Sequence, residues 1–123
     1  RLCDDHLGGT LSADLYQRLL EAGWIEHFDQ RVTVTLKGAT QLEARGVFIQ
    51  ALAHRNGKVA CACPDWSERR PHLGGALGAA LLQLFMQSGW LNLPMDSRAL
   101  QLTAAGQREI HRFAKQTEVE MAL

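Results

Sequence analysis

His72-Leu73-Gly74-Gly75-Ala76-Leu77, running on to Gly89-Trp90-Leu91, decides the reading of this chain because it has a counterpart. His6-Leu7-Gly8-Gly9-Thr10-Leu11 runs on to Gly23-Trp24-Ile25, and the spacing from His6 to His72 and from Trp24 to Trp90 is 66 residues in both cases. Ten of the twenty positions from His6 to Ile25 are identical in the later segment, where chance gives about one or two, so the chain reads as an internal repeat. The match extends both ways. Cys3-Asp4-Asp5 and Cys63-Pro64-Asp65 share Cys-x-Asp, with six more residues before the second histidine. Val32-Thr33-Val34-Thr35-Leu36-Lys37-Gly38 aligns with Leu100-Gln101-Leu102-Thr103-Ala104-Ala105-Gly106 at a spacing of 68, two residues longer. Two copies of one module follow, residues 1–57 and 58–123, as one compact unit.

Each copy carries the same local signals. Leu11, Leu15, Leu19 and Ala22 form one apolar stripe, which predicts a helix over Thr10 to Ala22 that Gly23 ends. Trp24 to Phe28 and the alternating Arg31 to Thr35 predict a hairpin turning at Asp29 and Gln30. Thr35 is placed to cap a helix from Leu36 to Ala53 or beyond, bent at Gly46 and ended before Gly57. Gly38 in its first turn, like Gly106 after Thr103, implies a close backbone approach to the hairpin. Asp65 to Arg70 reads as a turn of helix carrying Trp66. The second module has a helix over Leu73 to Ser88 without a charged residue, apolar nearly all round and therefore expected to be buried. Trp90 to Leu93 and Ala99 to Leu102 predict its hairpin, turning through Pro94 to Ser97, and Thr103 caps a last helix through Ile110 and Phe113. The expected fold class is α+β: two tandem winged-helix-like modules (helix, β-hairpin wing, helix) related by a pseudo-two-fold. The two glycine pairs at the helix mouths imply either turns with positive φ or close packing, with Gly75 as the position that separates the two.

Composition limits the function. Thirteen basic and thirteen acidic residues among 123 give a net charge of zero, whereas a domain that holds nucleic acid mainly by charge is visibly basic. The first helix offers Gln17 and Arg18, offset by Asp14 and Glu21, and the second only Gln83 and Gln87, a poor set for reading base edges. Wing residues Arg31 and Arg98 are the candidates for phosphate contact. The longest apolar stretch, Ala76 to Met86, contains Gln83 and is too short for a bilayer, so no membrane partner is expected. Three cysteines without a secreted-scaffold spacing point to the cytoplasm. The chain opens on Arg1 and reads as a piece of a longer protein. No serine, cysteine or carboxylate constellation suggests an enzyme.

The segment Leu-x-x-x-Leu…Gly-Trp-Leu…Leu-x-Leu-Thr-x-x-Gly is similar to the wing half of bacterial winged-helix regulators. Cys3 to Gly9 together with Asp65-Trp66-Ser67-Glu68-Arg69-Arg70-Pro71-His72-Leu73-Gly74-Gly75-Ala76-Leu77-Gly78 resembles the C-terminal half of ArsR-type transcriptional regulators over nearly the whole chain. That resemblance implies an ArsR-type helix-turn-helix domain before Arg1 that binds operator DNA, leaving this piece as the dimerisation or effector-sensing half of a homo-oligomer. Metal-sensing members of that family carry Cys-x-Cys in a helix of the DNA-binding domain. Cys61-Ala62-Cys63 has the spacing but lies between the modules, so metal sensing is not carried over.

Candidate site residues fall into two sets. Trp66, Arg69, Arg70, His72 and His6 would bind a small or anionic effector, a helix start adding a favourable dipole; against this, Arg70 and Arg69 have Glu68 and Asp65 within reach as salt-bridge partners. Trp24 and Trp90 match in position and read as core. Cys3, Asp5, His6, Cys61, Cys63 and His72 have metal-ligand or redox chemistry. Cys3 to His6 is Cys-x-x-His, half of a common zinc arrangement, but the second copy separates Cys63 from His72 by the insertion. The primary reading therefore has no cofactor and gives the histidines a structural role. The alternatives are zinc or another transition metal held by this set, a thiol-redox sensor, or a stand-alone protein-interaction module.

Overall fold

The computed structural model describes residues 2–3, 5–29, 31–52, 59–65, 68–95 and 99–115. The chain is α+β, built from short antiparallel hairpins and helices. In order these are β1 (Leu2–Cys3), β2 (His6–Leu7), α1 (Thr10–Glu21), β3 (Ile25–Phe28), β4 (Arg31–Val34), α2 (Leu36–Ala44), α3 (Ile49–Leu52), β5 (Cys61–Asp65), β6 (Arg70–Gly74), α4 (Gly75–Gln87), β7 (Leu91–Asn92), β8 (Gln101–Leu102) and α5 (Ala104–Arg112). Strands pair only with their chain neighbours: β1 with β2, β3 with β4, β5 with β6 and β7 with β8. The order hairpin, helix, hairpin, helix thus occurs twice, with α3 added after the first.

Matching residues make matching bonds. Thr35 Oγ1 accepts from the Gly38 amide at 2.9 Å and donates to the Gly23 carbonyl at 2.5 Å. Thr103 Oγ1 accepts from the Gly106 amide at 2.9 Å and donates to the Gly89 carbonyl at 2.8 Å. Each threonine therefore caps one helix while fastening it to the end of the preceding one, a local gain of about 1 kcal/mol for the cap alone. The first helical turn is pressed onto the hairpin so closely that a Cβ on Gly38 or Gly106 would overlap the carbonyl oxygen of Trp24 or Trp90 respectively. The close backbone approach expected at these two glycines is present.

The core is shared by both halves of the chain. Leu19, Ile25, Leu42, Leu77, Phe85 and Ile110 are fully buried. Phe113, after α5, meets Trp24 edge-on at 5.6 Å and Phe85 edge-on at 5.4 Å, and Trp90 packs on Phe85 at 5.6 Å. The Arg45 guanidinium covers this group, 4.9 Å from the Trp24 ring centre. The two tryptophans do pack as core, Trp24 more deeply than Trp90. Arg18 on α1 donates to the carbonyls of Phe113 at 3.1 Å and Ile110 at 2.6 Å, closing the last turn of α5 with a cation, as the helix dipole favours.

Several expectations need correction. The long helix from Leu36 is broken, not bent: α2 stops at Ala44, Gly46 takes φ +91, and only Ile49–Leu52 resumes helix. Its expected continuation through 53–57 lies outside the described residues. Asp65 and Arg70, the ends of the expected helical turn, are instead a strand pair; Glu68 and Arg69 return amides to the Asp65 carbonyl, and Arg69 adopts φ +57. The uncharged helix begins at Gly75 because Leu73 and Gly74 complete β6. It is buried along Leu77, Leu81, Leu82 and Phe85, but Gln83, Met86 and Gln87 are exposed, so its apolar content exceeds its burial. Trp66, and the wing turn at 96–98 with Arg98, lie outside the described residues.

Gly38→Ala and Gly106→Ala are each expected to lower stability by about 1–3 kcal/mol through overpacking, while Gln107→Ala, exposed one residue on, stays within about 0.5 kcal/mol. Chemical denaturation midpoints at constant m-value check this.

Candidate functional site

Among the described residues the buried polar ones are few: His6, Ser12, Asp65 and His72. Three of them meet at one place. β2 presents His6 and β6 presents His72, and the Nε2 atoms of the two rings lie 3.0 Å apart. Their ring centres are 5.0 Å apart and the planes are inclined at 46°. The far nitrogen of each ring faces a carboxylate: His6 Nδ1 to Asp5 Oδ1 at 3.0 Å and His72 Nδ1 to Asp65 Oδ2 at 2.9 Å. Asp5 is solvent-exposed, whereas Asp65 is buried and also accepts the Gly9 amide at 2.6 Å.

The cysteines join the same place through strand register. Cys3 is paired with His6 across β1 and β2, and Cys63 with His72 across β5 and β6. Directly opposed residues in an antiparallel pair hold their Cβ atoms about 4.5–5.5 Å apart. The six additional residues of the second segment therefore do not part Cys63 from His72. They lengthen the hairpin beyond them, adding the pairs Pro64 with Pro71 and Asp65 with Arg70. One ligand atom from each of Cys3, His6, Cys63 and His72 lies within 4.8 Å of all the others. Burial pushes the Cys63 thiol up to about 11, and Cys3, Cys61 and Asp65 push in the same direction. That is opposite to the depressed value a redox-reactive thiol requires.

Glycine makes the approach possible. A Cβ on Gly8 would stand 3.1 Å from Cys3 Cβ and 3.4 Å from His72 Cε1; on Gly74 it would stand 3.3 Å from Cys63 Cβ and 3.4 Å from His6 Cε1. The tightest contacts would be with cysteines of the same half, Cys3 Cβ for Gly8 and Cys61 Sγ, also at 3.1 Å, for Gly74, with the opposing ring just in contact. The close packing anticipated at Gly75 falls one residue earlier, on Gly74. Gly75 and Gly9 instead take φ +76 and +87 and turn the chain into α4 and α1. The helices cross over, with α1 packing on β6 and α4 on β2.

The sequence-derived sets divide accordingly. Of the metal or redox set, Cys3, His6, Cys63 and His72 converge, Asp5 stands behind His6, and Cys61, paired with Gly74, is outside the four. Asp65 is the buried carboxylate that completes the arrangement; the shared Cys-x-Asp was the signal for it. Of the effector set, His6 and His72 meet each other, Arg69 and Arg70 lie apart from them, and Trp66 is outside the described residues. Arg70 is held by Asp14 at 2.9 Å and Glu68 at 3.2 Å. Arg69 and Arg70 line a shallow groove with Ala62, Pro64, Asp65 and Pro71, to which neither histidine contributes. A second groove, between α3 and α4, is lined by Val47, Phe48, Ala80 and Leu84 with Gln83 and Gln87.

Over 106 residues, 86% of its length, the chain is 33% identical to an uncharacterized HTH-type transcriptional regulator, YdfF, of Bacillus subtilis. The match covers 47% of that protein, so the chain spans about half the length of the curated relative. No family model and no solved structure matches the chain. The likeness is consistent with a regulatory role and gives no indication of catalysis. Among the described residues no helix is long and apolar enough to cross a membrane.

Asp65→Ala is expected to cost about 2–5 kcal/mol, because it strips the part-buried Gly9 amide and the buried His72 imidazole of their acceptor. Asp5→Ala, at an exposed carboxylate, should cost less than about 1 kcal/mol. Urea unfolding of the two variants side by side is the check.

Proposed function

We propose that this chain is the C-terminal regulatory half of an ArsR-type transcriptional regulator whose DNA-reading domain precedes Arg1. It comprises two winged-helix-like modules, 1–57 and 58–123, related by a pseudo-two-fold. The observation that carries the reading is the 33% identity to an HTH-type regulator across 86% of this chain but 47% of that protein, which leaves ample sequence there for a separate DNA-binding domain. The repeated hairpin, helix, hairpin, helix order and the twin threonine caps support the two-module description.

The helices that correspond to recognition helices are poorly suited to DNA in this half. The cation of α1, Arg18, is engaged with the carbonyls that end α5, and Asp14 and Glu21 add negative charge beside it. α4 carries no charge at all. Operator binding in this reading belongs to the preceding domain, and the present half supplies dimerisation or effector sensing in the cytoplasm. Exposed Phe28, Leu36 and Phe48 are side chains of the kind a partner surface covers. The Arg69–Arg70 groove is the place for an anionic effector and the α3–α4 groove for an apolar one.

The test compares the full-length protein with this chain in titrations against duplex DNA at several salt concentrations. The full-length protein should bind, with affinity falling steeply as salt rises, and this chain should show little binding at physiological salt. Tight, salt-sensitive binding by the chain alone overturns the division of labour.

A further inference from the structure

We infer that Cys3, His6, Cys63 and His72 form a tetrahedral site for a divalent zinc-type cation, two ligands from each half of the chain. The site stands on geometry alone and does not rest on the regulatory reading.

The first argument is about protons. A neutral imidazole has one donor nitrogen and one acceptor. His6 and His72 both turn Nδ1 toward a carboxylate, where a ring N–H is the group that makes a favourable contact. That leaves both Nε2 atoms with lone pairs, and these are the atoms that face one another at 3.0 Å in the interior. Two lone pairs at that distance repel unless something positive lies between or beside them. A shared proton is one answer, its charge offset by the two carboxylates, but it gives the two thiols gathered beside the rings no part. A metal ion is the other, and it accounts for the thiols as well. Carboxylate behind imidazole is the usual outer shell of a histidine ligand, fixing the tautomer and ring direction. Here it occurs on both histidines.

The second argument is the donor set and its size. Zn–N bonds of about 2.0–2.1 Å and Zn–S bonds of about 2.3 Å place the ligand atoms of a tetrahedron about 3.3–3.8 Å apart. The four ligand atoms lie within 4.8 Å of one another and the two Nε2 atoms at 3.0 Å, so the shell is completed by small side-chain shifts that draw the sulfurs in and part the two ring nitrogens slightly. Two sulfurs and two nitrogens in tetrahedral array select zinc over the oxygen-preferring magnesium and calcium.

Charge also closes. Binding forms two Zn–S and two Zn–N bonds and releases the two thiol protons to solvent. Two thiolates then offset the dication, so the four-ligand shell carries no net charge, and the Asp65 carboxylate behind His72 is held by the ring N–H and the Gly9 amide. Four protein ligands leave no open position, which is the mark of a structural site, not a catalytic one. Its ligands come from β1, β2, β5 and β6, so the ion ties the two hairpins from which α1 and α4 spring.

The test uses the full-length protein, purified under reducing conditions without chelator. Elemental analysis should give one zinc per chain. After removal of zinc, Co2+ should restore a visible tetrahedral d–d band together with a near-ultraviolet thiolate charge-transfer band. Cys61→Ser should keep both the stoichiometry and the bands, while Cys3→Ser and Cys63→Ser weaken the charge-transfer band and lower zinc affinity. Asp5→Asn, an exposed change behind a ligand, should retain the fold by circular dichroism and lose roughly 10–100-fold in zinc affinity. A reduced, folded wild-type protein that neither carries zinc nor develops a thiolate–cobalt band refutes the site, as does loss of binding in Cys61→Ser with retention in Cys3→Ser and Cys63→Ser. Failure of the full-length protein to bind DNA, with zinc present, would sink the regulatory reading and leave this one standing.

Discussion

Two imidazoles set nose to nose in a low-dielectric interior constrain everything near them. His6 and His72 are 3.0 Å apart and each is oriented by a carboxylate, so neither ring is free to turn away. Holding them there requires the hairpins β1–β2 and β5–β6 to approach each other side by side. A Cβ at Gly8 or Gly74 would crowd a cysteine of its own half, at 3.1 Å from Cys3 Cβ or Cys61 Sγ, and would touch the opposing ring at 3.4 Å. The following glycines then turn at positive φ and send α1 and α4 off in directions that pack each helix on the other half's strand. The His-Leu-Gly-Gly sequence is thus a joint: a ring to meet its counterpart, a leucine for the core, a gap for the other ring, and a turn.

Much of this was legible before any coordinates. The apolar stripe over Thr10–Ala22, the alternation at Arg31–Thr35 and the threonine–glycine caps are local signals, and local hydrogen bonds realise them. What escaped was non-local or short. Two-residue strands such as Leu2–Cys3 have no period to detect, and Cys61–Asp65 contains a proline that argues against strand. Without those hairpins, the spacing from Cys63 to His72 looks like a broken motif, although strand register restores it. Gly46 was placed correctly as an irregularity but read as a bend; a left-handed φ there ends the helix instead. The uncharged α4 misled for a different reason. Absence of charge implies burial on all sides, yet Gln83 and Gln87 with Met86 make an exposed strip that composition alone does not orient.

Charge placement ties the two halves of the chain together and underlies the proposal that DNA is read elsewhere. A DNA-reading helix keeps its cations free for phosphate and base edges. In α1 the cation points inward to the chain itself: Arg18 binds the carbonyls at the end of α5, about ninety residues later in sequence and at the negative end of that helix's dipole. Asp14 on the same helix pairs with Arg70 from the second half, an exposed contact of small worth alone but consistent in direction. Both charged contacts of α1 are therefore made with residues beyond position 58. The second half answers with an uncharged helix, α4, laid against β2. The helices use their faces on each other's halves, through one ionic surface and one apolar surface, and the histidine joint lies where the two exchanges cross.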